Sequence, residues 1–465
     1  MGMHVMGNPD LGSGFSCCFV RELLDECLRM FKDNITETID FVDKPQCTMT
    51  FGQGQYEMIC DAEYKCPTMT STTIRPSDMH GLWKPALLKP AKLHSFIGKD
   101  GKAVNPLELA MSKYCVNKVM LPRATVLMAV NLVYDSLSNN SKKYVKPRLF
   151  SFEEAVLGLE NNKNFGPYPR MTSPGYPRNT EYHQGFKKKE YWFGTDQDYD
   201  LSRPQCQELK KECLNMILAA AKSERIVTIC ADNLKDETRP IAKVDAGKTR
   251  LFSGSSMDEA IVCRMMFGAF TLWIRENYID NYCLIGVNPY SLDWDRMTKR
   301  VSRFACSPED ISMGAGDFSN FDGSQHSFIL WQILDIINRW YGDSEINQNI
   351  RRVLWLGVVE SYHIYNKSIY KWFGSLPSGH ALTITINCLY NIIAFRYCWV
   401  RCLMKDDVIV LPQLLPNFDK FIGLVVMGDD NLFSVHYDMR SYFNEMTLPI
   451  YMAELGLTYT NDDKE

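Results

Sequence analysis

The sequence predicts an α+β fold built on an antiparallel sheet, and three features of its last third carry that expectation. Two apolar runs, 421–427 and 431–435, flank Gly428-Asp429-Asp430, which is how a buried β-hairpin is written, with Gly and Asp supplying the turn. A short, loop-bounded run from Met313 to Phe318 suits a strand ending on Asp317. Between them lie two helical patterns. From Phe328 to Tyr341 apolar residues recur at 329, 330, 333, 334, 336, 337 and 340, a broad helical face. Leu382 to Val400 is apolar nearly throughout, but Thr383, Thr385, Asn387, Asn391 and Arg396 are costly at a bilayer centre, so a buried core helix is expected rather than a membrane span.

The rest of the chain is less regular. Phe15 to Phe31 reads as a helix; residues 44–80 are polar and turn-rich, like a linker or extended segment. Helical patterning resumes near Asn105, and Pro167 to Pro177 forms a rigid loop. At 465 residues the chain can hold two or three domains, and 46% hydrophobic against 23% charged residues excludes a disordered protein. A net charge of −4 argues against a surface coated for nucleic acid, but a channel needs only a local basic lining. Local clusters exist at Lys187-Lys188-Lys189, at Lys210-Lys211 and from Lys235 to Arg250. The 16 cysteines form no CxxC pair, so neither a zinc site nor a disulfide framework is expected, which suggests a reducing, cytosolic setting. No signal peptide is visible at the start.

Chemistry concentrates at the hairpin. Two carboxylates at the tip of apolar strands repel each other unless a cation or proton joins them. A Mg²⁺ pair resolves that repulsion and takes oxygen ligands alongside phosphate and water. Asp317, also at a strand end, is the natural third ligand.

Five stretches then fall in one order. Lys235-Asp236-Glu237 to Lys243 and Gly247-Lys248-Thr249-Arg250 resembles the basic fingers motif of polymerases from picorna-like positive-strand RNA viruses. Gly316-Asp317-Phe318-Ser319-Asn320-Phe321-Asp322-Gly323-Ser324 resembles their first palm motif. Pro377-Ser378-Gly379-His380 through Thr383 and Asn387 resembles the second, Met427 to Asn431 the third, and Ala453 to Lys464 the fourth. Arg75-Pro76-Ser77, Thr172 to Pro177 and Asn288-Pro289-Tyr290 bring the wording nearest the dicistrovirus and iflavirus branch.

The resemblance implies an RNA-directed RNA polymerase with a right-hand fold of fingers and palm. Asp317 and Asp429 would coordinate two Mg²⁺ ions (Mn²⁺ as a substitute), with Asp430 a weaker ligand and the Phe318 carbonyl completing one sphere. Lys464 matches the family lysine that protonates pyrophosphate. Lys235, Arg239, Lys243, Lys248 and Arg250 would neutralise the triphosphate, Arg250 and Lys243 most directly, and their alternation suggests one strand. Asp322, Ser378 and Asn387 would read the ribose 2′-hydroxyl, with Gly379 beside them and Thr383 supporting Asp322. The bland reading of Ser378 is a helix cap, and of Asn387 a satisfied core amide.

The expected layout is 1–53 a remnant of a protease C-terminus and linker, 54–306 fingers, 307–342 palm with the first motif, 343–375 a fingers/palm insertion, and 376–465 palm. Gly2-Met3-His4-Val5-Met6-Gly7 resembles the GxHxxG segment of the chymotrypsin-like cysteine protease that precedes such polymerases, with a junction at Gln53/Gly54, or at Gln46 or Gln55. The thumb is expected to be absent, since the sequence stops after the fourth motif. Expected partners are RNA template and primer, ribonucleoside triphosphates and other replication proteins, with the chain in host cytoplasm at membrane-associated complexes. Two alternatives stand beside this. A reverse transcriptase shares the palm and the Asp-Asp turn but usually has a bulky aromatic where Asp322 stands; a non-catalytic RNA-binding fragment would follow from a missing thumb.

Overall fold

The computed structural model describes residues 56–114, 116, 118–304, 313–405 and 407–461. The helix expected at 15–31, the protease-like start, the three candidate junctions and Lys464 lie outside the described residues. In chain order the elements that position the site are strand β1 (Tyr56–Asp61), helices α1 (Arg123–Asn140) and α2 (Pro204–Ala221), strands β2 (Ile229–Leu234) and β3 (Leu251–Gly254), helix α3 (Met257–Glu276), strand β4 (Met313–Ser319), helices α4 (Ser327–Tyr341) and α5 (Glu345–Leu354), strands β5 (Tyr362–Tyr365) and β6 (Ser368–Trp372), helix α6 (Thr383–Cys402), and strands β7 (Ile422–Met427), β8 (Asp430–Val435) and β9 (Thr458–Asn461).

Two sheets organise them. Strands β7-β8-β4-β9 form a four-stranded sheet, antiparallel throughout, and β1-β6-β5-β2-β3 form a five-stranded one in which only β2 and β5 run parallel. The α+β expectation holds. Helix α6 is buried on every side from Thr385 to Val400 because it is wedged between α1, α4 and the four-stranded sheet, so its polar residues face protein partners rather than lipid. Among the described residues no helix is long and apolar enough to cross a membrane. Helix α4 buries the expected apolar face; His326 Nδ1 caps its start and Gly342, in the left-handed region, ends it.

One expectation is narrowed and two need correction. Of the two readings of 44–80, linker or extended segment, residues 56–61 take the extended one, pairing as β1 with β6, some three hundred residues downstream. The hairpin loop is two residues, Gly428-Asp429, since Met427 pairs with Asp430, which therefore belongs to β8. The basic stretch is not one strand. After β2 it passes through a short strand at Thr238–Pro240, a single helical turn at Ile241–Asp245 and a loop to β3; Pro240 cannot continue a central ladder.

Strand alternation fixes which way the first motif faces. Gly314, Gly316 and Phe318 turn into the core, so Ala315 and Asp317 occupy the opposite, open face. The two glycines are bare because aromatic rings from the neighbouring strands lie over them. A Cβ on Gly314 would stand 2.3 Å from the Phe433 ring, and one on Gly316 would stand 2.0 Å from that of Tyr459. The Tyr459 hydroxyl donates to Asn431 Oδ1 at 2.7 Å, so its ring has no free retreat. Gly316→Ala is therefore expected to destabilise the fold by about 2 kcal/mol or more through overpacking. A thermal melt checks this; an unchanged midpoint would remove the steric account.

Candidate active site

The site grows from the end of the four-stranded sheet where β4 meets the β7/β8 turn. Asn431 pairs with Gly316 and Leu432 with Ala315, so Asp430 and Asp317, one residue further along the same strands, share the open face. Asp429 projects from the turn itself, where Gly428 has φ +69°. That backbone region favours glycine, and an added Cβ would also crowd Ile384 Cδ1 at 3.2 Å.

The turn is held from beneath by α6. Asn391, fully buried, directs its Nδ2 at the carbonyls of Gly428 (3.1 Å), Asp429 (3.0 Å) and Asp430 (3.4 Å). One helical turn earlier, Cys388 Sγ accepts the Gly428 N–H at 3.1 Å. From the neighbouring strand, Asn431 Nδ2 donates to the Gly316 carbonyl at 3.3 Å. Sequence reasoning gave neither Asn391 nor Cys388 a part in this. A helical spacing of four from Asn387 was the available signal, since it sets both amides on one face.

That face carries the second cluster. Asn387 Nδ2 donates to Asp322 Oδ1 at 2.8 Å, and Ser378 hydrogen-bonds the same carboxylate. Burial raises the Asp322 pKa above the usual range; the Asn387 and Ser378 hydrogen bonds and Lys235 pull it down, and the charge on Asp429 adds to the rise. So the structure brings Asp322, Ser378 and Asn387 together, within the field of the turn carboxylate. Thr383 does not join them. Its hydroxyl donates to the Pro377 (3.1 Å) and His380 (2.8 Å) carbonyls and accepts the Gly379 N–H (3.3 Å), so it shapes the 377–383 loop instead of supporting Asp322 directly. Gly379, at φ +123°, lets this loop lie against β3, where Ser253 N–H donates to the Ser378 carbonyl at 2.6 Å; a Cβ there would meet the Ser253 carbonyl at 2.7 Å.

The basic residues arrive from several elements. Lys235 follows β2 and acts on Asp322; Arg250 precedes β3 and feels Asp429. Arg250 donates to Glu237 through Nε (2.6 Å) and Nη2, and Arg239 contacts the same carboxylate at 3.3 Å, which holds Glu237 below the usual range. Two of the five expected cations are thus oriented by one acid. A sixth was missed. Loss of solvent, and after it the proximity of Arg239, Lys248 and Lys243, holds the Lys113 pKa below the usual lysine range. Lys113 sits alone in sequence, so no charge run betrays it.

Among the described residues no three His, Cys, Asp or Glu side chains stand close enough to hold a metal unaided. Mg²⁺ in phosphate-transfer sites is typically held by one or two carboxylates, with water and substrate phosphate completing the shell. Asp317, Asp429 and Asp430 on an open sheet end fit that donor set. Phe318 packs on Phe321 and Tyr459, with ring centroids 4.6 and 4.8 Å away, so only its backbone carbonyl is on offer to an ion.

Comparison with known proteins gives the family. The family model described as viral RNA-dependent RNA polymerase matches residues 104–465. The chain belongs to that family. It is 31% identical over 493 residues to the replicase polyprotein of Drosophila C virus (strain EB), and 30% identical over 491 residues to that of Cricket paralysis virus. Each match covers 100% of this chain and 27% of the relative, so the chain spans about a quarter of their length. Among solved structures, Sicinivirus 3Dpol RNA dependent RNA polymerase shares the fold, with a TM-score of 0.67 at 18% identity over 88% of this chain and 77% of that one.

Proposed function

We propose that this chain catalyses template-directed RNA synthesis, joining ribonucleotides from triphosphates to an RNA 3′-hydroxyl during viral genome replication. In this reading the four-stranded sheet is the palm, and the five-stranded sheet with the basic segment belongs to the fingers. One observation carries it: the carboxylates of the first and third motifs meet at one sheet end, with the Asp322–Ser378–Asn387 cluster beside them and the Lys235–Arg250 segment facing both.

Asp317 and Asp429, with Asp430 in support, would hold Mg²⁺, which supplies charge neutralisation and lowers the pKa of a bound hydroxyl. The chain's own residues do the rest. Arg250, Lys243, Lys248 and Lys113 offer charge-assisted hydrogen bonds to triphosphate oxygens, and Arg250 would exchange Glu237 for phosphate. Asp322 and Asn387 present an acceptor and a donor to a sugar hydroxyl. A polar site of this kind rejects an analogue lacking the hydroxyl, because its buried groups are then left unpaired. Partners would be RNA, triphosphates and other replication proteins, which would bring the chain to membrane-associated complexes.

Primer extension on an RNA template, with ribonucleotides and then deoxyribonucleotides, tests the proposal. Extension with ribonucleotides supports it, efficient extension with deoxyribonucleotides favours a reverse transcriptase, and RNA binding without extension favours a non-catalytic role. Asn387→Ala is expected to lower the preference for ribonucleotides by about tenfold or more. An unchanged preference removes Asn387 from sugar recognition.

A further inference from the structure

The sugar-reading cluster does not end at its three expected members. Gln325, fully buried, donates from Nε2 to Asn387 Oδ1 at 2.6 Å, and its own Oε1 carries no hydrogen bond. The chain of contacts therefore runs Gln325–Asn387–Asp322.

Donor counting gives this chain a direction. A carboxylate only accepts, so the Asn387 amide must turn its NH₂ to Asp322 and its oxygen to Gln325. Gln325 can meet that oxygen only with its own NH₂. Both donors point towards Asp322. Asn387 is left with one N–H to offer, and its direction is fixed by the bonds on both sides of the amide. Nothing else recommends Gln325. A buried amide with an orphaned oxygen is a poor core residue, since an apolar side chain of like size would leave no oxygen unsatisfied.

We propose that Gln325 is a specificity-determining positioning residue, which orients Asn387 so that the site distinguishes ribose from deoxyribose. The inference rests on the polymerase reading above. Gln325 need not touch the nucleotide; it acts through the amide it holds. Gln325 stands at the entry to α4, and the Ser375 N–H donates to its carbonyl at 3.0 Å, so the first motif, the second motif and the sugar cluster are tied at one point.

The test is the ratio of kcat/KM for a ribonucleotide over its deoxyribonucleotide, measured with the whole chain and Mg²⁺. Gln325→Leu is expected to lower it roughly tenfold, the worth of one hydrogen bond to a correctly aimed group. Ribonucleotide incorporation should fall less, and the melting temperature should hold. In an Asn387→Ala background Gln325→Leu should change the ratio no further, a non-additivity that a merely structural role would not produce. Equal losses for both sugars, or full additivity, overturn the proposal; should Gln325→Leu fail to fold, Gln325→Met makes the same comparison. A wild-type chain that extends no primer sinks the polymerase reading instead. The positioning claim is then read from calorimetric binding of ATP against dATP, whose ratio should narrow by the same factor in the variants, and an unaltered ratio overturns it.

Discussion

Asp429→Asn is expected to reduce nucleotide incorporation by about a thousandfold while leaving the fold intact. The side chain is exposed at the turn, and the backbone on either side is held by Asn391, Cys388 and Asn431 through groups that the substitution does not alter. Asn matches Asp in volume but lacks the charge that would bind a cation, and a contact worth several kcal/mol to the transition state corresponds to about three powers of ten in rate. The measurement is single-nucleotide primer extension beside a circular-dichroism melt. Loss of activity with an unchanged melt supports the metal role; normal activity sinks it. Asp317→Asn should match it. Asp430→Asn is expected to cost less, and this comparison has structural content, because Asp430 belongs to β8 and faces Asp317 across the open sheet face. If Asp430→Asn proves equally severe, the strand residue ranks with the turn residue as a ligand. The charge on Asp429 also raises the Asp322 pKa, so Asp429→Asn should shift the Asp322 titration downward. That effect can be followed without any turnover.

What the sequence revealed depended on how local each signal was. Helices α4 and α6 and the β7/β8 hairpin were legible because their patterns lie within twenty residues and their partners follow closely. Strand β1 was not: its ladder partner lies some three hundred residues away, and its alternation is broken by a bulge between Met58 and Cys60. The basic segment was misread as one strand although it held two contrary signals. Pro240 ends a short strand, and Gly247, at φ +68°, packs where a Cβ would meet Val104 at 2.6 Å. In the candidate site, the residues proposed to meet metal, phosphate or sugar were named from their motifs, Lys113 excepted. Those that hold them were not: Asn391 and Cys388 are a buried amide and thiol on an apolar helix, and Gln325 lies in the short link before α4, and each reads as core until its partner is known. Thr383 shows the reverse error: it stands among site residues, yet its hydrogen bonds serve its own loop.

Asn391→Leu carries the second large expectation, because it leaves every charged group in place. One amide nitrogen lies under three consecutive carbonyls of the turn, and its oxygen has no partner, so donation is what the position requires. Leucine is close in size but donates nothing. Leaving buried carbonyls unsatisfied costs about 1–3 kcal/mol, and relaxation of the turn to reach other donors would displace Asp429. A displacement on the order of 1 Å in a catalytic group can cost about a hundredfold in rate. The expected result is therefore a hundredfold loss of kcat with little change in the KM for the ribonucleotide, together with a melt lowered by a few degrees. Asn391→Asp should be worse than Asn391→Leu, since a carboxylate would face three carbonyl oxygens in a buried position. Cys388→Ser should be mild, because a hydroxyl oxygen can still accept the Gly428 N–H. This ordering separates support of the turn from general packing. If core volume alone mattered, Asn391→Asp, which keeps the volume, would be gentler than Asn391→Leu, and that order of rates would refute the supporting role of the amide.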